Sequence, residues 1–167
     1  MKRIVAFLCM FTLLIVCIGC GMTDEEEREA ANKAKILAKM SMETLKIPMY
    51  CQRDLERYNL NEIGKLYNYN AIEIRLKEAD LAAQALDSLP RNMKYLKPWT
   101  AFRDEARYLM GLTIDFLEDF KKILEKSKKG RKIDDDVNEF NTKVNKYKGR
   151  YQKLEPLYND ISQVVIK

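Results

Sequence analysis

From residue 98 onward, apolar residues recur at intervals of three and four. Phe102, Ala106, Leu109, Thr113, Phe116, Phe120 and Ile123 form one stripe, widened by Leu117 and Leu124. Val137, Phe140, Val144, Tyr147, Tyr151, Leu154, Tyr158, Ile161 and Val165 form another. A period near 3.6 puts all members of such a stripe on one helical face, and the extra leucines make that face broader than a coiled-coil seam. Tyr69, Ile72, Leu76, Ala79, Ala83 and Leu86 predict a further helix over residues 61–88. The fourth stripe comes first in the chain: Ala30, Ala34, Leu37, Ser41, Thr44, Pro48, Cys51, Leu55, Tyr58. Its members are small, and Pro48 should break the helix near Lys46 or Ile47, because proline lacks the amide proton and its ring collides with the preceding turn.

Local signals mark where these helices start and stop. Thr23 followed by Glu26 has the form of a capping box, and the acidic run from Asp24 opposes the positive end of the helix dipole. Leu89-Pro90 through Lys97-Pro98 reads as a long connection, with the next helix starting at Pro98 or Thr100. Gly130 is placed to close that helix at C′, and Asp134-Asp135-Asp136 to open the last one. Pro156 lies off its stripe and should bend or interrupt the last helix. Segments of about 28–35 residues span roughly 40–50 Å. The pattern therefore predicts an all-α, up-down-up-down four-helix bundle over residues 24–167, with two hairpins that pair only in a dimer as the alternative.

Residues 1–23 do not fit the bundle pattern. Lys2-Arg3 precedes an apolar run, Ile4–Ile18, that is shorter than the roughly 20 residues a membrane-spanning helix needs. Cys17-Ile18-Gly19-Cys20 resembles the lipobox of bacterial lipoprotein precursors, in which a small residue precedes the modified cysteine; Cys17 stands where leucine is commonest. The resemblance covers the first 20 or so residues. It implies a signal peptide over residues 1–19, acylation of Cys20, and a tether over residues 20–23. It also implies a cell-envelope location, attached to membrane lipid through Cys20. With Gly and not Asp at residue 21, the outer membrane is favoured if the organism has one.

Composition narrows the chemistry. The 167 residues contain no histidine, 33% charged residues and a formal charge of +5. Without histidine, Ser–His and Cys–His catalysis, the Glu-x-x-His di-iron motif and a His-ligated haem are all ruled out. Zinc sites draw mainly on Cys and His, and Cys51 would be the only thiol left after processing. Asp134-Asp135-Asp136 does not open a calcium loop, since Glu139 and Asn145 fall where Gly and Glu are required. No catalytic residue, metal or cofactor is expected.

What remains are binding features. Cys51 lies on an apolar stripe, as a small core residue would; an intermolecular disulfide is the functional alternative. Residues 121–153 hold 12 Lys or Arg against 5 Asp or Glu, a net +7. Lys126, Lys128, Lys129, Arg131 and Lys132 cluster at the turn, suited either to ordinary solvation or to contact with lipid or an acidic partner. Tyr50, Tyr67, Tyr95 and Tyr108 lie off the stripes and could line a groove. The expectation is a non-enzymatic envelope lipoprotein that binds an envelope protein partner, with a homodimer allowed and no nucleic-acid ligand. The alternatives are a sensory or small-ligand-binding bundle and a carboxylate-only cell-wall hydrolase.

Overall fold

The computed structural model describes residues 22–60 and 62–166, the side chain of Leu66 excepted. Residues 1–21, which hold the expected signal peptide and Cys20, lie outside the described residues. Among the described residues six helices follow in order: α1 Asp24–Thr44, α2 Ile47–Arg57, α3 Ile63–Leu66, α4 Tyr69–Ser88, α5 Trp99–Lys128 and α6 Asp134–Gln163. No strand occurs among the described residues.

Paired side chains fix the direction of each rod. Asp24 and Glu27 at the start of α1 bind Lys94 in the connection before α5. Ser127 at the end of α5 reaches back to Leu60 at the far end of the first rod. Between α4 and α5, Asp87 meets Arg107 and Glu73 meets Lys121. Between α5 and α6, Glu105 meets Arg150 and Lys126 meets Asp136. Rods successive in the chain are thus antiparallel and the first rod runs parallel to α5, which is the up-down-up-down bundle that the stripes predict.

The two stripes that repeat without a miss become uninterrupted 30-residue helices. Their aromatic side chains fill the centre: Phe116 lies edge-on to Phe140 and Tyr147, and Phe120 to Tyr67. Trp99 is fully buried, and its indole N–H donates to Pro90 O at 2.9 Å, tying the long connection to α5. The opposite side of the core is built from alanine. Ala30, Ala31, Ala34 and Ala38 of α1 are buried, as are Ala79, Ala82, Ala83 and Ala85 of α4.

The first rod departs from a single helix where Pro48 demands it, and α2 begins at Ile47 with proline in its first turn. The break frees Leu45 O, and the buried Tyr147 hydroxyl donates to it at 2.8 Å. Thr113 Oγ1 lies 3.0 Å from that hydroxyl, so three rods meet in one satisfied polar contact.

Three expectations are corrected. The helix placed over 61–88 is split: α3 ends at Leu66 and α4 starts at Tyr69, with Asn68 Oδ1 accepting from Asn70 N at 3.1 Å. The reason is Gly64. A Cβ there would lie 2.2 Å from Leu124 O and 2.4 Å from Lys128 N, so α3 presses its backbone directly onto α5. Secondly, Pro156 does not interrupt α6, which continues to Gln163; the residue is exposed, so water can solvate the carbonyl it leaves unpaired. Thirdly, the stripes overrun their helices, leaving Tyr58 and Val165 48% and 76% exposed.

Candidate functional site

The turn joining α5 to α6 is the most sharply defined surface feature. Gly130 adopts φ +67°, Gly130 N donates to Ser127 O at 2.8 Å, and Arg131 N donates to Lys126 O at 3.0 Å. These two bonds constitute a Schellman motif at the predicted C′ glycine, and Ile133 follows, buried. The turn is anchored from below, since Ser127 Oγ donates to Leu60 O at 2.7 Å and accepts from Gly64 N at 3.1 Å.

The five cations predicted to act together divide into two groups. Lys126 forms an ion pair with Asp136 at 2.7 Å, and Lys128 lies over the Tyr69 ring at 5.2 Å. Lys129, Arg131 and Lys132 are exposed and carry no ion pair among the described residues. Beneath the turn runs an open groove of about 330 Å³ between α5 and α6. Lys122, Lys126, Lys129, Arg131 and Lys143 face Asp119, Glu125, Asp136 and Glu139 around it. Its apolar floor, Ile123 and Phe140, is almost wholly buried. Such a mixed, wet rim suits a macromolecular surface better than an apolar small molecule.

Cys51 is 1% exposed and has no disulfide partner among the described residues. Burial pushes its thiol up to about 12, although Arg75 beside it pulls the other way. An intermolecular disulfide needs an accessible sulfur, and this fold encloses it; the stripe position already implied a core residue.

The four tyrosines do not line one groove. Tyr67 packs on Phe120 and donates to Asp54 Oδ2 at 3.2 Å. Tyr95 lies under Arg28 and Lys94 near the start of α1, Tyr50 under Arg53, and Tyr108 under Arg150 on the outer face of α5.

Several surface carboxylates are held by cations. Lys121 lowers the pKa of Glu73, and Arg91 that of Asp104. A general acid requires the opposite shift. Among the described residues no group of three or more Cys, Asp or Glu could hold a metal, and no helix is long and apolar enough to cross a membrane. Comparison with protein-family models, curated proteins and solved structures found no match.

Proposed function

We propose that this chain is a membrane-anchored envelope lipoprotein that works as a non-enzymatic binding or adaptor module, tethered at one pole and recognising its partner at the other. The observation that carries this reading is the separation of the two poles. Only Gly21 and Met22 separate Cys20 from Thr23. The α1 start is stapled by the Thr23–Glu26 capping box and by the pairing of Asp24 with Lys94. The Schellman turn lies at the other end of α5, 30 residues away, or about 45 Å along the axis. A bundle standing on a short tether holds Lys129, Arg131 and Lys132 clear of its own membrane. A rigid turn with three unpaired cations loses little freedom on binding, and it favours an acidic protein surface over the anchoring lipid.

Replacing Lys129, Arg131 and Lys132 together with Ser, in a chain still able to be acylated, tests the reading. Partners captured from the native membrane with wild type should be lost with this variant, and raised salt should weaken wild-type capture. Liposome flotation of a Cys20→Ala chain separates lipid contact from protein contact. An unchanged partner set would remove the turn from the binding surface.

A further inference from the structure

We infer that the outer face of the α5–α6 hairpin docks on the same face of a second copy of this chain, about a two-fold axis parallel to the helices. Two glycines point to this face. Gly111 and Gly149 lie within 30-residue helices, where glycine weakens the helix relative to alanine. A Cβ at either would meet nothing within 4 Å, so no contact inside the molecule calls for their small size. The two are level with each other, because Thr113 meets Tyr147 just beyond Gly111 and Glu105 meets Arg150 just before it. Each thins its own helix at the same height and allows another helix to come close.

The charges on this face complement a copy of themselves. Asp115 of α5 and Lys146 and Lys153 of α6 are exposed and carry no ion pair among the described residues. Lys143 and Arg150, on the same hairpin, are already paired within the chain. Tyr108, 49% exposed, borders a shallow depression beside Gly111 and Leu112. A two-fold along the helices sets α5 of one copy over α6 of the other at equal height. Asp115 then faces Lys146, Gly111 faces Gly149, and Tyr108 faces Lys153, each pairing occurring twice. A two-fold perpendicular to the helices would instead set α5 over α5 and lose this register. The parallel arrangement also brings both Thr23 ends to the same side, as two copies tethered to one membrane require; that last point rests on the anchoring proposed above.

The test uses the full chain, extracted in mild detergent and followed by sedimentation velocity across a concentration series. Wild type should show a monomer–dimer equilibrium. Asp115→Lys and Lys146→Asp should each weaken it about tenfold or more, and the Asp115→Lys/Lys146→Asp double variant should regain it. Gly149→Leu should abolish the dimer while leaving the melting temperature unchanged or higher, which excludes misfolding as the cause. A wild type that stays monomeric up to about 100 µM, a charge swap that fails to restore the dimer, or a dimer that survives Gly149→Leu would overturn the inference. Palmitate labelling of Cys20 reads the anchor separately, and the charge-swap comparison is made between chains with the same Cys20, so either proposal can fail alone.

Discussion

The α5–α6 hairpin and the first rod build the same bundle by different means. In the hairpin, two unbroken helices pack through Phe116, Phe120, Phe140 and Tyr147, and the turn closes on its own backbone bonds and the Lys126–Asp136 ion pair. In the first rod the helix breaks before Pro48 and again after Arg57. Its pieces are held by hydrogen bonds supplied from the hairpin: Tyr147 to Leu45 O, and Ser127 to Leu60 O. The hairpin is specified largely by its own periodicity. The first rod is specified by what the hairpin offers it.

Removing a central ring should cause the largest loss. Phe120 is fully buried between Tyr67 and Phe140, and Phe120→Ala should cost about 3–5 kcal/mol in urea unfolding. Breaking the first rod's dependence should cost less but act locally. Gly64→Ala forces a carbon against Leu124 O and Lys128 N, for a loss of about 1–3 kcal/mol and faster hydrogen exchange in residues 58–68 than in α6. Tyr147→Phe leaves Leu45 O without its donor at a cost of about 1–3 kcal/mol, read in the same experiment as early opening around residues 44–47. If either variant opened the hairpin first, the division between the two regions would be wrong.

Alkali should reveal the buried groups next. Desolvation raises the pKa of Cys51 to about 12, and it also raises those of Tyr67 and Tyr147. Each is neutral when protonated, so the unfolded chain releases these protons first as pH rises. Their contribution is whole below the ordinary thiol and phenol values, and it declines as pH climbs toward the folded ones. Melting temperature should fall above about pH 9, and less steeply in Cys51→Ala than in wild type. The smallest effect is expected at the turn. Replacing Lys129, Arg131 and Lys132 with Ser should change stability by no more than about 0.5 kcal/mol, measured by thermal melting.

The difference between the regions also explains what was legible in the sequence. The unbroken stripes show both long helices, the capping glycine the closure at Gly130, and the first stripe the burial of Cys51, because periodicity and capping are local properties. The split at residues 67–68 was not visible. Gly64 presses on the α5 backbone at Leu124 and Lys128, 60 and 64 residues further along, and no local pattern encodes that contact. Asn68, placed to cap α4, was the one local hint. At the turn, the five cations are adjacent in sequence, but how they divide is not legible there. Lys126 finds Asp136 across the turn and Lys128 finds Tyr69 on another rod, and both choices depend on tertiary geometry. The outer face with Gly111 and Gly149 is not legible in the apolar stripes, because what marks it is the absence of side chains.

The reading of a tethered module with a distal recognition turn rests most heavily on Cys20. Metabolic labelling with a palmitate analogue, followed by intact-mass measurement of the purified protein, tests it directly. The account predicts label in wild type, a mature chain starting at Cys20 with an acyl mass increment, and no label in Cys20→Ala. Label retained by Cys20→Ala, or a wild-type chain whose mass shows cleavage elsewhere or no acyl group, would contradict it.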